Sequence, residues 1–156
     1  MDVLEHLEEE HRKVEKMIAE LETTDTAAER EPILAELGDA IAKHMDVEEE
    51  RLYPIVAERL GDEVSRRANA EHDTARDDLV RLVEQTDQFE FISALAKFKD
   101  DLAQHVSEEE NYIFPNLRAN AAYEIADLGD PHKLEDEVQQ ELIDENVDLI
   151  DENLAR

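Results

Sequence analysis

Two short stretches of the chain each place a histidine and a glutamate four residues apart. The first pair is His44 and Glu48, and the second is His105 and Glu109. On an α-helix, positions i and i+4 lie one above the other, about 6 Å apart along the axis, so the imidazole and the carboxylate converge on one point. Imidazole and carboxylate ligands without thiolate suit iron, manganese or zinc. Each pair therefore predicts part of a metal site.

The two pairs belong to an internal repeat with an offset of 61 residues, the difference between 105 and 44 and between 109 and 48. The same offset carries Pro54 onto Pro115 and His11 onto His72. Apolar residues of the first segment also map onto small or apolar residues of the third. The repeat predicts two helical hairpins that are related residue by residue.

Apolar residues recur at spacings of three and four through four segments, which predicts four amphipathic helices. No window alternates like a strand, and the chain has only 3 Gly and 4 Pro. We therefore predict an all-α, up-down-up-down four-helix bundle over residues 1–118. The first helix should run from about Asp2 to Leu21, Gly61 should end the second helix, Asp62 should cap the third, and Pro115 should bend or end the fourth.

The predicted ligands lie on the apolar stripes of these helices, which meet at the centre of the bundle. A buried carboxylate costs several kcal/mol in desolvation unless a positive group compensates it, and no basic residue lies on these stripes. A single histidine would be explained as a hydrogen-bonded core residue, and a single glutamate as part of a solvated face. The complete set under one repeat offset favours a metal site formed by His11, His44, Glu48, His72, His105 and Glu109.

Six ligands from four helices suit two metal ions better than one open site. Two glutamates offset only two of at least four positive charges, so a bridging oxide or hydroxide is expected, with open positions for a small ligand. The repeat assigns one pair of histidines to each ion and lets the two glutamates bridge them: His11 with His44, His72 with His105, and Glu48 with Glu109.

Other polar residues are predicted to lie outside the site. His6 falls off the first apolar stripe and His132 lies in the tail, so both should be exposed. Tyr112 is one turn after Glu109 and is predicted to be a core tyrosine. The remaining acids near the two motifs are assigned to the solvated face: Glu49, Glu50, Glu108 and Glu110.

Residues 119–156 are predicted to form an acidic helical extension. A helix should start at Asp130 and Pro131 and reach Leu154, with one apolar face. Residues 123–156 hold 12 acids and 2 bases. The apolar face is expected to lie on the bundle or on a second copy of the chain, which would make a homodimer. Disorder with folding on contact is the alternative.

Composition excludes several classes of function. There is no cysteine, so disulfides, thiolate metal sites and cysteine nucleophiles are excluded. A net charge of -28 argues against nucleic acid and anionic membranes as partners. The first residues are acidic and lack the apolar core of a signal peptide, and no run approaches membrane-spanning length, so we expect a cytoplasmic protein.

The motifs resemble the hemerythrin family, specifically the hemerythrin-like domain with the His-His-Glu cation-binding pattern. The resemblance covers about residues 1–118. It rests on Asp2-Val3-Leu4 leading to Glu10-His11, on Glu71-His72, and on the two His-x-x-x-Glu motifs followed by Tyr53-Pro54 and Phe114-Pro115. It implies a non-heme di-iron centre in which dioxygen, peroxide or nitric oxide contacts the iron directly.

The sequence departs from the oxygen-carrying hemerythrins at the third helix. Those proteins have a second histidine one turn from the first, whereas His72 has Ala68 and Arg76 as its neighbours at that distance. Glu109 also replaces an aspartate found at five residues' spacing. Three functions stay open: a di-iron module that binds or senses dioxygen or related small ligands, a di-iron enzyme that consumes peroxide or handles iron or nitrosative damage, and a metal-free bundle that binds a partner.

Overall fold

The computed structural model describes residues 1–156, which are helical almost throughout and contain no strand. None of the helices combines the length and the hydropathy that a membrane span requires. The predicted all-α helical bundle is confirmed. The elements are α1 (Val3–Glu22), α2 (Ala27–Val47), π1 (Glu48–Leu52), α3 (Tyr53–Leu60), α4 (Asp62–Glu84), α5 (Gln88–Glu108), π2 (Glu109–Ile113), α6 (Phe114–Asn120), α7 (Ala122–Asp127) and α8 (Pro131–Leu154).

Two short π-helical segments interrupt the helices that carry the His-x-x-x-Glu motifs. In π1, the N–H of Tyr53 donates to the carbonyl of Glu48, five residues earlier. Pro54 follows, and proline has no N–H and crowds the carbonyl four residues before it, so the preceding turn widens. The segment π2 repeats this arrangement before Pro115. The helix therefore does not end at Pro115, one of the two predicted outcomes, but continues through it in a widened turn.

Two apolar clusters fill the bundle on either side of a polar layer. The tail-side cluster contains Val3, Leu4, Leu7 and residues of α3, α6, α7 and α8. The far cluster contains Val14, Ile18 and residues of α2, α4 and α5. On α1, His11 lies between Leu7 and Val14, and the other predicted ligands lie between the two clusters in the same way. The apolar clusters therefore fix four helices around a polar centre.

One of the two capping residues predicted from the sequence, Asp130, is confirmed. Asp2 caps α1 in a capping box with Glu5, and Asp130 caps α8. The prediction that Asp62 caps the third helix was wrong, because Gly61 is the capping residue and Asp62 already lies in the helix. Gly61 has φ of 105°, which only glycine adopts without strain, and it joins α3 to α4 with no further linker.

The tail helix lies partly on the bundle. Leu134 and Val138 are buried in the tail-side cluster, as is Ile125 of α7, a helix that the sequence pattern did not predict. The outer half of α8, from Ile143 to Leu154, keeps its apolar residues exposed. The expectation that the helix lies on the bundle holds for its first half. A separate extension beginning at residue 119, and a homodimer through the outer half, stay predictions.

Candidate metal centre

Glu48 lies at the centre of the polar layer and contacts a histidine from each half of the repeat. Its side chain is 0% exposed. Glu48 Oε1 lies 3.1 Å from His44 Nε2 and 3.1 Å from His72 Nε2. A carboxylate in this position reaches both histidine pairs.

Glu109 occupies the equivalent position in the second half and is also 0% exposed. Glu109 Oε1 lies 3.3 Å from His11 Nε2 and 3.3 Å from His105 Nε2. The six residues predicted from the sequence therefore come together. Their potential ligand atoms form two groups: His11, His44, Glu48 and Glu109, and then Glu48, His72 and His105.

Each of the four histidines turns its second ring nitrogen to another carboxylate. A proton on Nδ1 makes this contact and leaves Nε2 facing the centre, as in proteins where a carboxylate orients a metal-binding imidazole. The distances from Nδ1 to the carboxylate oxygen are 2.7 Å for His11 and Glu110, 3.3 Å for His44 and Glu10, 2.7 Å for His72 and Glu49, and 3.0 Å for His105 and Glu71.

The role of these outer carboxylates was missed from the sequence. Glu49 and Glu110 were assigned to the solvated face, but both are half-buried because they bond to the histidines. Glu50 is exposed, as predicted. The repeat carried the missed signal, because 71 differs from 10, and 110 from 49, by the same 61 as the ligands.

The centre contains two buried carboxylate atoms that have no hydrogen-bond partner, Glu48 Oε2 and Glu109 Oε1. An unpaired, fully buried carboxylate oxygen is costly because it has lost its water. A cation in the centre would supply the missing partner. The surrounding imidazole and carboxylate donors, with no sulfur, fit iron, manganese or zinc. The residues present therefore fit a metal site.

Without a metal, protons on the histidines balance the carboxylates. Burial lowers the pKa of His44, but the charge of Glu48 and hydrogen bonds to Glu10 and Glu48 outweigh it and raise the pKa to about 10. His105 behaves in the same way beside Glu109, and its pKa rises to about 11. A metal ion would have to displace such protons, so metal binding should release protons.

Tyr53 places a hydroxyl group in the centre of the polar layer. The sequence had assigned no role to this residue. The Tyr53 hydroxyl donates to Glu109 Oε2 at 2.9 Å and lies 2.9 Å from His72 Nε2. The repeat places Phe114 at the equivalent position, where its ring lies parallel to that of His11 with centroids 6.1 Å apart. One side of the centre therefore has a hydroxyl donor that the other side lacks.

Two single-residue predictions were wrong. Tyr112 is 46% exposed, because the widened turn of π2 directs Ile113 and Phe114 into the core in its place. His6 is buried, because α8 covers the face of α1 that lies beside its apolar stripe and was predicted to face solvent. His132 is exposed, as predicted.

A cavity of about 330 Å³ leads to the polar layer. It is lined by all four histidines and by apolar residues of α1, α2 and α5, including Ile18, Ile41 and Leu102. An apolar approach of this kind admits small, weakly solvated molecules more readily than ions.

Comparison with known proteins gave one match. The family model described as the hemerythrin HHE cation binding domain matches residues 2–117. Neither the search of curated proteins nor the search of solved structures gave a match.

Proposed function

The chain belongs to the hemerythrin HHE cation-binding family, and from that premise we propose that it holds two iron ions and binds a small ligand such as dioxygen or nitric oxide. The proposed ligands are the six residues of the polar layer, with one histidine pair for each ion and Glu48 and Glu109 as bridges. Such an iron pair, with the bridging oxide or hydroxide that we propose for it, would supply redox chemistry and open positions for the small ligand.

One observation carries this proposal: four buried Nε2 atoms and two buried carboxylates converge, and every Nδ1 is already held by a second carboxylate. A cluster that served only to fill the core would not need four outer carboxylates to fix the imidazole rings. The orphaned oxygens of Glu48 and Glu109 point to the same conclusion. These features support metal binding against a metal-free bundle.

The shape and lining of the cavity support the proposal that the ligand is a small molecule. Its approach to the histidines is lined by apolar side chains of Val14, Ile18, Ile41, Leu102 and Val106. Dioxygen and nitric oxide lose little hydration on entering such a space, whereas a charged substrate would lose much more.

A second candidate function, turnover of hydrogen peroxide, is favoured by Tyr53. In that reaction one peroxide is oxidised to dioxygen and a second is reduced to two waters, which requires proton transfer. The buried hydroxyl of Tyr53 donates a hydrogen bond to Glu109, and burial raises the pKa of this hydroxyl well above its usual value, so it stays protonated and is a hydrogen-bond donor at the centre.

The proposal is tested by metal content and the visible spectrum of the protein after anaerobic loading with ferrous iron and exposure to air. We expect about two irons per chain, oxo-bridge charge-transfer absorption, and nitric oxide binding to the reduced form. Glu48→Gln and Glu109→Gln should each lower iron content by a similar factor, because a neutral amide coordinates poorly.

Glu50→Gln is the matched control, since Glu50 lies in π1 but is exposed. It should leave iron content unchanged. A wild-type protein that takes up no metal, or a control that loses as much iron as Glu48→Gln, would overturn the proposal.

A further inference from the structure

A second group of side chains of metal-ligating types lies outside the polar layer, where α1 meets α8. His6 and Glu10 stand one turn apart on α1, and Glu135 comes from the beginning of α8. His6 Nε2 lies 2.6 Å from Glu10 Oε1 and 3.7 Å from Glu135 Oε2. Their potential ligand atoms all lie within 4.8 Å of one another. None of these three residues is a ligand in the proposed di-iron centre.

His6 Nε2 is a buried polar atom without a hydrogen-bond partner. The residue is 7% exposed. The short approach of Glu10 Oε1 lacks the geometry of a hydrogen bond, so this nitrogen points between two carboxylates with its bonding capacity unused. Leaving such an atom unpaired is unfavourable, because it has lost its hydrogen bonds to water. A cation between the three side chains would use the nitrogen and both carboxylates.

His132 lies beside this group and is the candidate for a fourth ligand. Its ring centroid lies 4.8 Å from that of His6, and the ring planes make an angle of 72°. The pair His72 and His105 in the main centre has almost the same arrangement, at 4.7 Å and 69°. His132 also lines, with the other three residues, a cavity of about 460 Å³. Two imidazoles and two carboxylates suit a four-coordinate ion such as zinc.

The local charges are compatible with a divalent cation. Glu10 and Glu135 together offset its two positive charges. Three lysines line the same cavity, Lys13, Lys16 and Lys43. Lys43 is paired with Asp39, at 3.1 Å. A chain with a net charge of -28 also attracts cations to its surface.

We propose that His6, Glu10, His132 and Glu135 form a third cation site, for a divalent transition-metal ion of the zinc class, which fastens α8 to α1. Two ligands come from each helix, so a bound ion cross-links the tail to the bundle. The site also reaches the main centre, because Glu10 Oε2 bonds to His44 Nδ1 at 3.3 Å. A cation on Oε1 would draw charge from the carboxylate that orients His44.

The experiment is a calorimetric titration of Zn²⁺ into full-length, iron-loaded protein, followed by a measurement of retained iron. Wild-type protein should bind one further Zn²⁺ per chain while its iron content and visible spectrum stay in place. Glu135→Gln and His132→Ala should each weaken this binding by at least about tenfold, on the scale of lost metal-site contacts. Both residues lie on the surface of the fold, so neither change should unfold the chain.

Glu137→Gln is the matched control, because it removes the same charge from an exposed position two residues along α8. It should bind Zn²⁺ as wild type does. Hydrogen exchange supplies a second measurement: Zn²⁺ should slow exchange in the first turns of α8 in wild type but not in Glu135→Gln.

Absence of additional Zn²⁺ binding in the wild type, or equal weakening by Glu137→Gln, overturns the third site. The experiment also separates failure of the di-iron proposal from failure of the third site. If the protein takes up no iron but still binds Zn²⁺, and Glu135→Gln weakens that Zn²⁺ binding, then the di-iron proposal is refuted and the third site is supported.

Discussion

Glu48 and Glu109 are the residues whose burial most needs a partner. Each is fully buried between two histidines, and burial of an ionised carboxylate costs several kcal/mol without compensation. In the metal-free protein the compensation comes from protons on His44 and His105. The charge of these two carboxylates is thus balanced by protonated histidines in the metal-free protein, and would be balanced by metal ions in a loaded one.

From the protons on His44 and His105 we predict how the stability of the metal-free protein depends on pH. The pKa values of His44 and His105 are raised from 6.5 to about 10 and about 11, so the folded state binds these protons more tightly than the unfolded state. Their contribution to the free energy of unfolding is complete below pH 6.5 and is lost as pH rises through about 10.

Urea denaturation of metal-free protein should therefore give a smaller free energy of unfolding at about pH 9.5 than at about pH 6.5. The metal-loaded protein should show a weaker dependence, since the ions replace the protons. A metal-free protein that becomes more stable over this range contradicts the assignment of charges.

Tyr53→Phe tests what the buried hydroxyl does. Phenylalanine already occupies the equivalent position at Phe114, so the change should be tolerated and iron content should stay near that of wild type. Loss of the hydrogen bond to Glu109 should alter the visible spectrum and, if peroxide is turned over, lower oxygen evolution at least tenfold. Unchanged oxygen evolution would remove Tyr53 from the peroxide reaction.

At the scale of the elements, the two motif-bearing helices widen into π segments at the same point. The segments start at Glu48 and Glu109, the two candidate bridges, and both precede a proline. A widened turn shifts the register of all following side chains, which places Tyr53 and Phe114 in the core. The repeat is therefore a repeat of backbone geometry as well as of ligands.

The outer carboxylates should behave as equivalent elements of this repeat. Glu49→Gln and Glu110→Gln each remove the charge that orients one histidine, His72 and His11 respectively, and each should lower metal affinity by about 10- to 100-fold. Competition with a coloured chelator measures this, with Glu50→Gln as the unaffected control. A loss in only one of the two variants would show that the halves are not functionally equivalent.

At the scale of the whole molecule, the C-terminal tail has two parts, one packed on the bundle and one exposed, which meet at Leu142. Up to that point it contributes Ile125, Leu134 and Val138 to the tail-side cluster, each worth about 1.5–3 kcal/mol of burial. Beyond it, the apolar residues of α8 are exposed. All six candidate ligands of the iron pair lie before residue 110.

A chain that ends at Leu142 should therefore keep the thermal stability and iron content of the full chain. One that ends at Ala121 should lose roughly 5 kcal/mol of stability, yet keep its iron at temperatures where it stays folded. Calorimetry and iron analysis check both. Loss of iron from a still folded shorter chain would contradict the independence of the centre from the tail.

The chain that ends at Leu142 also tests the predicted homodimer. If the exposed face of α8 pairs with a second copy, sedimentation velocity should show a dimer for the full chain and a monomer for the chain ending at Leu142. A full chain that sediments as a monomer would refute the dimer.

Sequence determined the helices, the bundle and the six residues that meet at its centre. This was possible because the histidines and glutamates lie on stripes of apolar residues, and a helix has a fixed period that carries one face into the core. The repeat offset then related positions far apart in the chain.

Tertiary structure alone decided which polar residues outside the stripes are buried. Glu49 and Glu110 lie beside the stripe, and only the angle between neighbouring helices brings them to His72 and His11. His6 was assigned to the solvent, and only the docking of α8 covers it. Tyr112 was expected in the core and is exposed, whereas Tyr53, to which the sequence assigned no role, is buried, because the widened turns rotate the side chains that follow them. Such contacts depend on the packing of several elements at once, which the period of one helix does not encode.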